Sequence, residues 1–234
     1  MQSKSVIMAA WLGLAVLAGG SAPAHAASLS AAQLAEQQTG AAAAARQGLD
    51  AFVRQNGQAF GNRLPEGFPL EVADGRALAS LRVGAGFPVY SVTPQQLLAT
   101  DADLSRQMAP TGAWRFTVYQ QQRPVGLVTV EKVAGRWQAV SYGAAGLAKD
   151  LESLRAAYGD GGRAATRFLR VYQAQSDFLE VTPAGGKPRF AALTSANASL
   201  QLQRQADGGA VLLDGAQLLE PLRAVVRSNL SSWR

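Results

Sequence analysis

The chain has 234 residues, 22 basic against 16 acidic side chains, a formal net charge of +6, one histidine and no cysteine. Without cysteine there is no disulfide, no thiolate nucleophile and no Cys-ligated metal or haem. Stability must come from a core, and a chain of this length that is 48% hydrophobic can build one.

Lys4 precedes an apolar run from Val6 to Ala18, and Gly19–Ala24 leads to the small-x-small sequence Ala24-His25-Ala26. That is the pattern of a secretory signal peptide, residues 1–26, cut before Ala27. The run is short for a membrane span, no cysteine follows it for lipidation, and no second membrane-length apolar segment occurs. The expected location is therefore periplasmic or secreted, with no transmembrane span in the mature chain. His25 leaves with the leader, so the mature chain has no histidine either. Its only lysines are Lys132, Lys149 and Lys187; the Arg and Ala bias reads as the mark of a GC-rich genome.

Residues 27–57 form an Ala/Gln-rich segment with a narrow stripe of Ala45, Leu49 and Phe52, and Asn56-Gly57 supplies a stop. It reads as a helix weakened by Gly40 and Gly48 and with little to bury, hence peripheral. Residues 58–234 read as a single α+β domain. Phe68–Val72 is expected as a short strand, Arg76–Val83 as a strand, Gly84–Gly86 as a break and Pro88–Val92 as a strand. Thr93-Pro94-Gln95-Gln96 is a helix start: Thr caps, Pro takes the first helical position and Gln lies three after the cap. The helix should end near Thr100, with Asp101–Gly112 as a connector.

The centre of the chain is a three-stranded antiparallel meander over about 114–142. Trp114, Phe116 and Val118 alternate with Arg115, Thr117 and Tyr119, one set for a buried face and the other for a wetter one. Gln120–Pro124 interrupts, Val125–Val133 resumes, Ala134-Gly135 turns and Arg136–Tyr142 returns. An amphipathic helix over about 144–158 follows, with Leu147, Leu151, Leu154 and Tyr158 on one stripe. It is the nearest cover for the sheet. Gly159 follows as a cap.

Beyond it, Thr166–Gln173 and Asp177–Thr182 read as strands and Ala184–Arg189 as a loop. Ala198–Arg204 and Ala210–Leu213 read as a hairpin about Asp207-Gly208-Gly209, and a helix is expected around Pro221–Asn229. No internal repeat is visible. The fold class is α+β.

The missing His and Cys exclude a Ser-His-Asp triad and an imidazole metal site in the mature chain. No phosphate loop, dinucleotide fingerprint or Ser-x-x-Lys motif occurs, and Gly159-Asp160-Gly161-Gly162 reads as a loop. No cofactor or metal is expected. Asp101 and Asp103 read as solvated loop aspartates, and Asp150 and Glu152 as the polar side of a helix. A glycosidase would need two carboxylates about 5–9 Å apart in a cleft, and no pair is singled out.

The binding candidates are Gln122 and Arg123 at the hairpin tip, and Arg223 and Arg227 one helical turn apart. Arg163, Arg167 and Arg170 cluster near a strand start, with Arg167 and Arg170 on opposite faces. Gln122-Arg123-Pro124-Val125-Gly126 is similar to the glutamine-x-valine-x-glycine hairpin of inhibitory cystatins at its first and last positions. Pro124 stands where their valine is, and turn chemistry alone accounts for these residues.

The expectation is an exported soluble protein, a non-catalytic binding or accessory module of the bacterial envelope or extracellular space. Its partner would be an envelope protein or an anionic glycan or lipid surface, not nucleic acid. The reading leans away from an enzyme. The alternative is an Asp/Glu-dependent, glycosidase-like hydrolase, and a third is a protease inhibitor presenting the 120–126 hairpin.

Overall fold

The computed structural model describes residues 30–100, 102–158, 164–202 and 211–232. The expected signal peptide, Asp101, Arg163, the Gly159 cap with its glycine-rich loop, and the 207–209 turn lie outside the described residues.

The chain builds a mixed α+β fold around one eight-stranded, mostly antiparallel sheet in the order β4-β3-β2-β1-β5-β6-β7-β8. The strands are β1 (Leu81–Ser91), β2 (Ala109–Gln120), β3 (Arg123–Val133), β4 (Arg136–Gly143), β5 (Ala165–Val171), β6 (Ser176–Thr182), β7 (Arg189–Ala192) and β8 (Leu212–Leu213). The helices are α1 (Ala31–Phe60), α2 (Pro94–Leu98), α3 (Leu104–Gln107), α4 (Ala145–Tyr158), α5 (Thr194–Ser199) and α6 (Gly215–Ser231). The element order repeats: a helix and four strands, α1 with β1–β4, then a helix and four strands, α4 with β5–β8. The two halves join where β1 and β5 run parallel, Val89 beside Phe168 and Tyr90 beside Leu169. The repetition lies in topology and leaves no trace in residue identity.

Residues paired across strands share a face. On one face, α1 covers Trp114, Phe116, Val118, Val128 and Val130 of the first half. On the same face of the second half, α6 sets Leu218, Leu222 and Val226 against Leu169, Val171, Phe178 and Phe190. On the opposite face, α4 sets Ala148, Leu151 and Leu154 against Phe87, Val89, Leu127, Phe168 and Leu179. So α4 covers the sheet from the side of Leu127, reaching both halves. The face of β2 expected to be wetter is covered as well: Thr117 is fully buried, and Ala113 packs in the cluster with α4.

α1 begins in a capping box, Ser30 with Gln33, and runs through the expected stop to Phe60, where Gly61 adopts φ 55°. Its 30 residues make a rod of about 45 Å. Ala41 and Ala45 are fully buried, so the helix docks by small side chains. A Cβ on Gly40 would stand 2.7 Å from the Trp137 ring, and one on Gly48 2.3 Å from Ala139 Cβ. The two glycines that weaken the helix locally are what let it approach β4.

Several strand boundaries depart from the sequence reading. Ala77–Ser80 is a 3₁₀ turn, and β1 then runs through Gly84–Gly86 as a register shift instead of breaking. Cβ atoms there would meet Tyr119 at 2.2 Å and Phe116 at 2.1 Å, so cross-strand aromatic rings fill the space. Phe68–Val72 is not a strand; it joins the sheet by one backbone–backbone bond, Glu71 N–H to Val125 O at 2.8 Å. α2 starts on the Thr93–Gln96 capping box as expected. The connector after it contains α3, capped by Asp103, and β2 begins at Ala109. Only Gln121 and Gln122 separate β2 from β3; Pro124 is tolerated near a strand start. The Ala134-Gly135 turn has both φ positive, 50° and 79°, the signature of a two-residue hairpin turn. Ala198 and Ser199 end α5, and β8 pairs with β7, so the described residues of the expected hairpin of 198–204 with 210–213 do not pair with one another. α6 begins at Gly215, where Gln217 Oε1 accepts from Asp214 N–H at 2.8 Å; Pro221 lies inside the helix instead of opening it.

Candidate functional site

Gln122 and Arg123 lie together at the exposed β2–β3 turn. Arg123 Nη2 donates to Glu71 O at 3.0 Å and to Gln120 Oε1 at 3.1 Å. Glu71 also meets Lys149 Nζ at 2.5 Å, and that hydrogen bond, ahead of the nearby charges of Lys149 and Arg123, holds its carboxyl below the usual range. The cluster ties α4 and β3 to the 62–72 loop. Val125 and Gly126 are buried in the sheet, so the tip exposes Gln121, Gln122 and Arg123 alone.

Arg223 and Arg227 stand on α6, over the other half of the sheet, and the structure does not bring them to Arg123. Arg223 donates Nε–H to Leu97 O at 2.7 Å, donates also to Ala99 O, and pairs with Glu220 at 2.5 Å. It satisfies the carbonyls that a helix C-terminus leaves without partners, here those of α2. Arg227 is exposed one turn further on.

Arg167 and Arg170 point to opposite faces of β5, as alternation requires. Arg167 pairs with Glu180 and reaches Ser105 Oγ at 2.9 Å. Arg170 Nη1 donates to both Asp177 oxygens at 3.0 Å, and Asp177 Oδ2 accepts from Ser195 Oγ at 2.9 Å. Asp177 and Glu180 are the buried carboxylates among the described residues, 3% and 1% exposed. Each is held by an arginine, and they lie on opposite faces of β6. Asp103 caps α3 and Asp150 accepts from Thr194 N–H at 3.1 Å. Among the described residues no three His, Cys, Asp or Glu side chains come together to hold a metal.

A groove of about 360 Å³ opens where β2 begins and β3 ends. Gln37 of α1, Thr111, Glu131, Lys132, Trp137 and Tyr172 line it. Lys132 Nζ stands 5.0 Å over the Trp137 ring, and the Arg170 guanidinium 5.5 Å from the Tyr172 ring. Tyr172 is 48% exposed, the most exposed large hydrophobic side chain of the described residues. Its position follows from β5 giving way to a 3₁₀ turn at Tyr172, which lifts the ring off the sheet.

Arg115 stands on β2, two residues beyond Ala113, which lines the groove. It pairs across strands with Phe87 and Thr129 and carries its guanidinium 5.4 Å from the Phe168 ring centroid. Its Nη1 is buried with no hydrogen-bond partner. Burial is the main influence on it and lowers its pKa; Asp177, Tyr172 and Glu131 work the other way, and Arg170 adds to the lowering. The sequence reading passes over Arg115, Trp137 and Tyr172 because each looks like an ordinary member of an alternating strand. The available signal is that Arg115 is the one charged side chain of β2.

No protein family matches the chain, and neither a curated protein nor a solved structure shows significant similarity to it. None of the described helices is long and apolar enough to cross a membrane.

Proposed function

We propose that this protein is an exported, soluble, non-catalytic binding module of the bacterial envelope or extracellular space, and that it binds through the groove lined by Lys132, Trp137 and Tyr172. Export rests on the leader pattern of residues 1–26. The observation that carries the binding reading is a contrast. The buried carboxylates are bound by arginines on opposite faces of β6, whereas the groove presents aromatic and charged side chains to solvent. A carboxylate-dependent hydrolase needs two acids facing one cleft, and Asp177 and Glu180 do not supply them. Exposed aromatic rings beside cations are the side chains most often found to anchor partners.

The test is in-cell cross-linking of the tagged, exported protein, followed by recovery of its partner. The reading predicts a reproducible partner whose yield falls at least about tenfold with Lys132→Ala and Tyr172→Ala combined, a loss typical of anchor residues. Both positions are exposed, so the fold should persist. Equal recovery by the double variant, or no partner from well-folded protein, would count against it.

A further inference from the structure

We infer that the groove is a subsite for a sugar ring of a neutral glycan, stacked on Tyr172 and hydrogen-bonded by Gln37, Glu131 and Lys132. The inference rests on the groove being the binding surface and names the chemistry it takes.

The groove exists because two neighbouring strands part. Pairing of β2 with β3 ends at Trp114 and Val130, while β3 continues beside β4 to Val133. On its other side β2 sets three residues, 111–113, against Val89 alone of β1. Bulges of this kind re-aim a strand and are over-represented beside active sites. Gly112, exposed and at φ 85°, is the middle residue of the three, and a Cβ on it would meet nothing within 4 Å. Open space therefore reaches the backbone itself. At about 360 Å³ the groove is the size of a small-ligand site.

Gln37, Glu131 and Lys132 converge on this space, and none of them has a hydrogen bond or ion pair among the described residues. They offer an amide, a carboxylate and an ammonium, donors and acceptors together. Neighbouring hydroxyls satisfy such a set, because each hydroxyl both donates and accepts. Charge selects a neutral ligand: Glu131 and Lys132 cancel, and Arg170 is engaged by both oxygens of Asp177. The net charge of +6 belongs to the whole chain and does not describe this lining. The platform is Tyr172. The Arg170 guanidinium lies 5.5 Å from its ring centroid, and 48% of the residue is still open to solvent. The C–H face of a sugar ring, weakly positive, suits the negative face of an aromatic ring. Trp137 plays a different part: its ring lies against Gly40 of α1 and carries Lys132 Nζ at 5.0 Å, so it positions the ammonium and is no second platform.

Titration of the full mature protein with defined tetrasaccharides, followed by the backbone amide resonances of Gly112 and Lys132, tests this. Cellotetraose and chitotetraose are the neutral probes, and tetragalacturonate is the acidic one. At least one neutral probe should shift both resonances saturably, with half-saturation at about 1–10 mM or tighter, and the acidic probe should bind more weakly. Response to cellotetraose alone would mark a plain hexose as the source, and response to chitotetraose alone an N-acetylated one. Tyr172→Phe keeps the platform and should leave the affinity within about twofold, whereas Tyr172→Ala and Glu131→Ala should each lower it at least about fivefold. Both positions are exposed, and the same spectra report that the fold persists. No saturable shift with any probe, tetragalacturonate binding as tightly as the neutral probes, or full affinity in Tyr172→Ala overturns the proposal. If a protein partner is cross-linked and is lost with Lys132→Ala and Tyr172→Ala combined, while no probe shifts these resonances, the groove stands as the binding surface and the sugar assignment falls.

Discussion

Tyr119 ends the covered face of β2, where its hydroxyl meets α4. Its pKa is pushed up to about 12, first by burial and then by a hydrogen bond to Glu152 and the charge of that carboxylate; Arg155 opposes. An acid whose folded pKa exceeds its unfolded value favours the fold while protonated. The favourable balance is whole below the ordinary tyrosine value of 10.0 and is lost as pH climbs towards about 12. Tyr119→Phe should therefore move the alkaline unfolding midpoint upwards, read by circular dichroism over that pH window, with little change at neutral pH. An unchanged or lower alkaline midpoint would contradict the placement. The spacing of Arg223 from Arg227 suggests a basic patch, yet the Arg223 guanidinium serves the α2 carbonyls. Nothing in a local sequence window distinguishes a solvated arginine from one that caps a helix far away in the chain.

The elements that were legible are those set by local chemistry. The Thr93 capping box, the Ala134-Gly135 turn and the alternation of Trp114, Phe116 and Val118 each carry their own instruction. The unread elements depend on distant neighbours. β7 is four residues, too short for periodicity, and β8, inside the strand expected over 210–213, takes β7 as its partner. The glycines of α1 and β1 look like breakers by propensity, but what decides them is Trp137, Ala139, Phe116 and Tyr119 on the facing strands. Gly48→Ala measures this directly. In a solvated helix the change would stabilise by about 1 kcal/mol. Against Ala139 Cβ at 2.3 Å and Tyr142 Oη at 2.8 Å it should destabilise by about 1–3 kcal/mol instead, as overpacking does. Chemical denaturation gives the sign, and a gain in stability would mean that α1 does not dock as described.

At the level of the whole molecule, two helix-plus-meander halves share one sheet through a short parallel junction at Val89 and Tyr90. So small a junction would couple them weakly. α4 supplies the rest, because Leu151 is fully buried in a cluster that draws on β1, β3, β5, β6 and β7. Leu151→Ala should cost about 2–5 kcal/mol. It should also leave one transition, with the fluorescence of Trp114 and Trp137 in the first half, read in a Trp233→Phe background, and far-ultraviolet circular dichroism of the whole chain at the same midpoint. Separate midpoints in the native sequence would mean two independently folding halves. The proposed binding surface is likewise a product of the assembly: Gln37, Glu131, Lys132, Trp137 and Tyr172 come from both halves, and no stretch of sequence announces them together.

The central claim, that this end of the sheet is where the protein binds, is tested most directly by site-specific photo-cross-linking of the full-length protein expressed in cells. A photoreactive side chain is placed singly at Tyr172, Lys132, Gln122 and Arg227, all exposed. The account predicts one adduct shared by positions 172 and 132 and absent at 122 and 227. An adduct confined to Gln122 or Arg227 would contradict it, moving the binding surface to the hairpin tip or to α6.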